Sequence, residues 1–180
     1  MENGAAVYRR FLDGDREAYA EIVKLYKDGL IYFLNGYVNN FHTAEDLVQE
    51  TFVRIYVKKP RFSGKSEFKT WLYSIGRHTA LDYLRKEKKV NAVPVEEAAA
   101  IPDDLPLPEM LCDESEDRFR LYAAMQKLNP EYRRVLWLVY FEGEGIEGVS
   151  EIIGKSKNNT SVLLHRAKNA LTKEFEKEGK

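Results

Sequence analysis

The sequence predicts an all-α fold with two small helical domains joined by a flexible acidic linker. Three observations lead to this prediction. Apolar residues recur at helical spacing through the first 57 residues and again near the C-terminus. Between them lies a proline-containing stretch without amphipathic period. Near the C-terminus, a short helical pattern and a longer one are separated by a glycine-bearing turn, which is typical of a helix-turn-helix. We therefore place domains at residues 1–90 and 116–180, with the linker at 91–115.

Four helices are predicted in the first domain. Their starts are Asp15 as N-cap, Asp28 or Gly29, Thr43 in a capping box with Asp46, and about Ser66. Pro60 ends the third helix because proline cannot continue the backbone ladder. These helices are expected to share one core.

The linker and the second domain differ sharply in composition. Residues 90–117 carry nine acidic and no basic residues, with four prolines, which indicates an extended linker. The helices predicted after it begin near Asp117, at Tyr132–Phe141 after Asn129-Pro130, at Ile146–Ile153 before Gly154, and at about 158–176. The final helix is expected to turn Leu164, Ala167 and Leu171 inward.

Positive charge is concentrated in residues 58–89, where ten basic residues face three acidic ones although the whole chain has a net charge of −1. Aromatic residues are interleaved with the basic ones. Lysine and arginine neutralise phosphates, and aromatic rings stack on unpaired bases, so this stretch predicts contact with nucleic acid. The alternative is a solvated basic helix whose aromatic residues belong to the core.

Other classes of function find little support in the sequence. No apolar run is long enough to span a membrane, so we expect no membrane insertion and a cytoplasmic protein. The single cysteine, Cys112, excludes an internal disulfide. The three histidines lie far apart, and no catalytic constellation or phosphate-binding glycine loop occurs. We therefore expect no metal, no cofactor and no enzymatic activity.

Four segments, HTAEDLVQETFVRIY, RFSGKSEFKTWLYSIGRHTALDYLRK, LNPEYRRVLWLVYFEG and LLHRAKNAL, resemble the extracytoplasmic-function sigma factors of bacterial RNA polymerase. The resemblance implies a first domain (region 2) that binds core polymerase and opens the −10 promoter element. It implies a second domain (region 4) that reads the −35 element as duplex DNA. The partners implied are the clamp helices of the largest polymerase subunit, the flap of the second-largest subunit, promoter DNA and an anti-sigma factor.

The same resemblance assigns roles to individual positions. The residues matching the polymerase-binding face are Asp46, Gln49, Glu50, Val53 and Arg54. Those matching the −10 site are Arg61, Phe62, Ser63, Lys65, Ser66, Phe68, Lys69, Trp71, Arg77 and His78. Those matching the −35 helix are Ser156, Asn158, Asn159, Thr160, Ser161, His165, Arg166 and Lys168. Relatives usually carry Asn at the position of His78, and basic residues at the positions of Ser161 and Leu163.

Two other interpretations remain open on sequence grounds. A stand-alone helix-turn-helix regulator would bind closed duplex DNA as a dimer, but it leaves the acidic face from Asp46 to Glu50 unexplained. A helical protein–protein adaptor would require that the basic stretch binds no DNA. Preference for polymerase over naked duplex DNA would separate them.

Overall fold

The computed structural model describes residues 3–91 and 116–178, and the regular elements in these two ranges are all α-helices. They are α1 (Gly4–Leu12), α2 (Arg16–Val38), α3 (Phe41–Lys58), α4 (Phe68–Asn91), α5 (Glu116–Gln126), α6 (Pro130–Tyr140), α7 (Ile146–Ile153) and α8 (Lys157–Glu178). The predicted all-α fold is confirmed for this part of the chain. The predicted linker, apart from Asn91, lies outside the described residues.

The first half, α1–α4, contains four helices as predicted, but they are divided differently. The predicted break at Asp28 or Gly29 is wrong, because α2 runs without interruption from Arg16 to Val38. Its core residues stay on one stripe across the glycine, where Ile22, Leu30 and Leu34 are all fully buried. The count is still four because of α1, a helix that was not predicted and that contributes Val7, Tyr8 and Phe11 to the core.

The start of α3 also differs from the prediction. Asn40, and not Thr43, is the N-cap, and its side-chain oxygen accepts a hydrogen bond from the Thr43 amide at 2.9 Å. Asn39 adopts a left-handed conformation that ends α2, and Asn40 then returns to extended backbone, which is the geometry an N-cap requires. Lys59, also left-handed, ends α3 immediately before Pro60, as the proline predicts.

In the second half, α5–α8, the predicted helix boundaries are close to those observed. Asn129 caps α6 through the Tyr132 amide at 2.9 Å, with Pro130 in the first turn. Gly154 ends α7 in a left-handed conformation (φ 69°). The expectation for the inward face of α8 is confirmed, because Ala167 and Leu171 are buried and half-buried Leu164 packs against the core. Thr160 and Leu163 are buried as well, which the sequence did not predict.

The two halves pack directly against each other. Helix α6 lies along α2, and α7 lies along α4. Aromatic rings cross the boundary, since Tyr32 of α2 stacks on Trp137 of α6 with centroids 5.0 Å apart. The core of the described residues therefore continues across the boundary between the two halves.

Candidate nucleic-acid interface

The loop between α3 and α4 is anchored from below by α1. The Tyr8 hydroxyl donates a hydrogen bond to the Pro60 carbonyl oxygen at 2.7 Å, and the Tyr8 ring lies 5.3 Å from the rings of both Phe68 and Trp71. Burial raises the pKa of Tyr8 to about 12, so its hydroxyl stays protonated and keeps donating. Gly64, with φ 72°, makes the turn in the middle of the loop.

Aromatic side chains of the predicted −10 site are brought together at this loop. The Phe62 ring lies 5.3 Å from Trp71 and 5.6 Å from Phe68. Phe68 is buried, with 2% of its surface exposed, whereas Phe62 and Trp71 are half-buried. Phe68 therefore serves as the floor of the cluster, and only Phe62 and Trp71 retain surface that a base could contact.

Polar residues surround this aromatic cluster. Arg61, Ser63 and Lys65 are exposed, and Ser66 is half-buried. On α4, Ser74 lies next to Trp71 along the helix but its hydroxyl donates to the Thr70 carbonyl oxygen at 2.9 Å. The loop thus offers cations and hydroxyls beside two partly open rings, the combination suited to an unpaired base and its phosphates.

The structure separates His78 from Arg77, although the two are neighbours in sequence. His78 is exposed on the same stripe of α4 as Trp71. Arg77 points toward the second half, where a Cβ added to Gly154 would lie 3.0 Å from its guanidinium. In this arrangement His78 faces solvent and Arg77 faces α7.

Lys69 is likewise engaged by the second half. Its Nζ donates to the Glu142 carbonyl oxygen and forms an ion pair with Glu142 Oε2 at 3.6 Å. Next to it, the Thr70 hydroxyl lies 3.3 Å from a Glu144 carboxylate oxygen. Burial raises the pKa of Glu144, and the attraction of Lys69 opposes that shift only in part.

Helix α3 carries a separate exposed face. Asp46, Gln49, Glu50 and Val53 are exposed, and Val53 shows 57% of its surface. The face continues to Val57, 71% exposed, which sequence reasoning missed. Its place on the same helical stripe as Glu50 and Val53 is the signal that could have identified it.

Arg54 has a different environment from the rest of the polymerase-binding set. It is half-buried, forms an ion pair with Glu50 at 2.6 Å, and reaches Asp82 of α4 at 3.7 Å. The guanidinium therefore links α3 to α4 and holds the Glu50 carboxylate in position. It lies at the edge of the α3 face.

Most of the predicted −35 residues lie on the solvent side of α8. The exposed members are Ser156, Asn158, Asn159, Ser161, His165, Arg166 and Lys168. The Ser156 hydroxyl accepts a hydrogen bond from the Asn159 amide at 3.2 Å and so caps the helix. Thr160 is fully buried, and its hydroxyl donates to the Ser156 carbonyl oxygen, so it supports the turn from inside.

Within 3–91 and 116–178, no group of three or more His, Cys, Asp or Glu side chains is arranged to hold a metal ion. In the same ranges, no helix has the length and apolarity needed to cross a membrane.

Comparison with known proteins identifies the family. The family model described as Sigma-70 region 2 matches residues 22–90, and that for Sigma-70, region 4 matches residues 118–171. The ECF RNA polymerase sigma factor SigW of Bacillus subtilis (strain 168) is 31% identical over 170 residues, which cover 90% of this chain and 91% of the relative. The chain belongs to the ECF RNA polymerase sigma factors.

Other relatives agree with this assignment. SigX of the same organism is 28% identical to this sigma factor over 164 residues, covering 89% of this chain and 84% of the relative. Two solved structures share the fold. RpoE in complex with the anti-sigma factor NepR from Bartonella quintana has a TM-score of 0.65 and 23% identity, covering 88% of this chain and 96% of that chain. CnrH in complex with the cytosolic domain of CnrY has a TM-score of 0.62 and 18% identity, covering 95% of this chain and 96% of that chain. Family membership establishes function as an RNA polymerase sigma factor.

Proposed function

We propose a division of labour within this sigma factor, in which residues 1–90 bind core RNA polymerase and the −10 element and residues 116–180 bind the −35 element. The observation that carries the proposal is the pairing of two exposed surfaces on one four-helix unit. One is the acidic and apolar face of α3, and the other is the aromatic loop beside α4. A sigma factor needs both, because it must hold the polymerase while it opens DNA.

The α3 face suits a helical protein partner. Asp46 and Glu50 can accept charge-assisted hydrogen bonds from arginines, while Val53 and Val57 supply apolar area farther along the same face. We assign this face to the clamp helices of the largest polymerase subunit. The flap of the second-largest subunit is assigned to the second half, on family grounds alone.

The aromatic loop suits a base extruded from the −10 element. Phe62 and Trp71 provide ring surface, and exposed Arg61 and Lys65 stand where phosphates would pass. Extruding a base costs a few kcal/mol, which stacking and phosphate neutralisation can offset. His78, exposed farther along α4, is assigned to a neighbouring base.

Helix α8 is assigned to the −35 duplex through its exposed polar residues. Ser161, His165 and Arg166 are the side chains proposed to reach base edges, and Lys168 a phosphate. We further propose that this sigma factor acts without catalysis, in the cytoplasm where polymerase and promoter lie. RpoE and CnrH were solved with NepR and with CnrY, which supports an anti-sigma partner here.

Binding of core polymerase tests the α3 assignment. Asp46→Arg reverses a charge on an exposed position and should weaken binding to core polymerase while circular dichroism shows unchanged helix content. Glu176→Arg, also at an exposed position but on α8, provides the charge-reversal control away from this face. Undiminished binding by Asp46→Arg would overturn the assignment.

A further inference from the structure

A cavity of about 310 Å³ lies where residues of α2, α4, α6 and α8 meet the end of α7. Half of its lining is aliphatic and comes from both halves of the chain, namely Leu81, Leu84, Val135, Ile153 and Leu163. The other half is polar. A volume of this size falls at the lower end of the range for small-molecule sites, roughly 300–1,000 Å³, and such sites combine an apolar lining with a few polar groups.

The polar part of the lining is mainly positive. It contains Arg77 of α4, Arg134 of α6 and Lys155 after α7, against the single carboxylate of Glu131. That carboxylate is already paired, because Glu131 Oε1 lies 2.8 Å from Lys155 Nζ. Three positive charges and one negative charge leave the lining with a net charge of +2. Concentrated positive charge in a concave, partly desolvated site favours an anion as its ligand.

The two arginines are held close together around Tyr37, which also lines the cavity. The Arg134 guanidinium lies 4.1 Å from the centroid of the Tyr37 ring and donates a hydrogen bond to the Gly36 carbonyl oxygen. Burial raises the pKa of Tyr37, and attraction from both guanidiniums opposes that rise. Burial also lowers the pKa of Arg134, and repulsion from Arg77 acts in the same direction. An anion bound between the two cations would relieve this repulsion.

The Arg77 guanidinium is only partly used by the protein itself. Its Nε is buried without a hydrogen-bond partner in the part of the chain that the structure describes. Its terminal nitrogens lie at the end of α7, where a Cβ added to Gly154 would be 3.0 Å from one of them. A buried donor without an acceptor costs free energy. An oxyanion bound along the edge of a guanidinium accepts from Nε and one terminal nitrogen, so it would supply the missing acceptor.

We propose that this cavity binds an organic phosphate, with the phosphate group between Arg77 and Arg134 and a small apolar group against the aliphatic lining. A phosphate monoester carries about −1.5 to −2 charges at pH 7, which matches the charge of the lining. The site shares no residue with the α3 face or with the aromatic loop, and it goes beyond the function proposed above. Because both halves line the cavity, the ligand stabilises their packing when it binds.

Isothermal titration calorimetry of the full-length chain at low salt tests the site with three probes. These are inorganic phosphate, adenosine 5′-monophosphate and hexyl phosphate. At least one of the two organic probes is expected to bind at one site per chain and about tenfold more tightly than inorganic phosphate, because the aliphatic lining removes its apolar group from water. Preference for adenosine 5′-monophosphate would indicate a nucleotide, and preference for hexyl phosphate an alkyl phosphate. Equal affinity for all three probes, or no binding, would overturn the inference.

One substitution and its matched control locate the binding site. Arg77→Gln removes a cation from the cavity and should weaken binding of the tighter organic probe about tenfold or more, because a charge-assisted hydrogen bond is lost. Arg85→Gln makes the same change about two turns farther along α4, at a side chain that is 71% exposed and does not line the cavity. It should bind as the wild type does. Equal affinity of Arg77→Gln and Arg85→Gln would contradict the proposed site.

A second variant decides the question if Arg77→Gln does not fold by circular dichroism. Lys155→Gln changes a side chain at the rim of the cavity, 43% exposed, so the core is left intact. It removes a cation and also releases the Glu131 carboxylate, which then repels a phosphate. Binding of the organic probe should weaken in this variant, and wild-type affinity would refute the assignment of the cavity.

Discussion

The contribution of two exposed valines of α3 to polymerase binding can be calculated from the structure. Val53 and Val57 are 57% and 71% exposed, and both lie on the face assigned to the clamp helices. Replacing each by alanine removes two methyl groups, worth about 0.8 kcal/mol apiece when fully buried. Scaled by the exposed fractions, the double variant should lose ~2 kcal/mol of binding, or roughly 30-fold in Kd.

The assay is competition for core polymerase between labelled wild type and the unlabelled double variant. Stability should not fall, because alanine is the better helix former at exposed positions. Val90→Ala, 78% exposed near the end of α4, removes the same methyl groups elsewhere and should bind as the wild type does. A double variant within twofold of the wild type would refute the assignment of this face.

The remaining predictions concern the proposed −10 surface and Glu144, which contacts it. Phe68→Ala should lower the free energy of unfolding by ~3–5 kcal/mol in thermal or urea denaturation, because the Phe68 ring is buried. The Phe62 ring is only half-buried, so Phe62→Ala should mainly weaken binding of −10 single strands, by ~1–3 kcal/mol. His78→Asn should change which base is preferred in initiation from promoters randomised at −10, while binding to core polymerase stays constant. The reason is that an imidazole offers its hydrogen-bond donor and acceptor on opposite sides of the ring, whereas an amide offers them side by side. Identical base preferences would exclude a base-reading role. Burial raises the pKa of Glu144 above 4.5 in the folded protein, so the carboxyl group ionises more readily in the unfolded chain. The folded protein therefore loses stability as the pH rises through the folded-state pKa of Glu144. The Tm of Glu144→Gln relative to wild type should therefore increase from pH 4 to pH 7, and a constant difference would contradict this cause.

Local signals in the sequence predicted much of the fold. Asn129-Pro130 begins one helix and Gly154 ends another through the properties of these residues themselves, so the two boundaries could be predicted without knowing the tertiary packing. The break predicted at Gly29 was wrong for a tertiary reason, since that glycine accommodates Glu142 and does not end a helix. Similarly, the N-cap moved from Thr43 to Asn40 because the left-handed turn at Asn39 fixed the register.

The site was predictable mainly where family resemblance supplied it. The aromatic residues of the loop were found by their spacing among basic residues, yet spacing could not distinguish buried Phe68 from partly open Phe62. Tyr8, which supports the loop, lies more than 50 residues earlier in the chain, and no local pattern connects them. The engagement of Lys69 by Glu142 depends on how two halves pack, which is a long-range property.

Initiation by a reconstituted holoenzyme tests the central claim most directly. Core polymerase would be mixed with the full-length chain and a library of promoters randomised at the −10 and −35 elements, and the transcripts sequenced. The sigma-factor role predicts start sites that require the chain, share −10 and −35 sequences, and disappear with Asp46→Arg. Transcripts that are the same with and without the chain would contradict it.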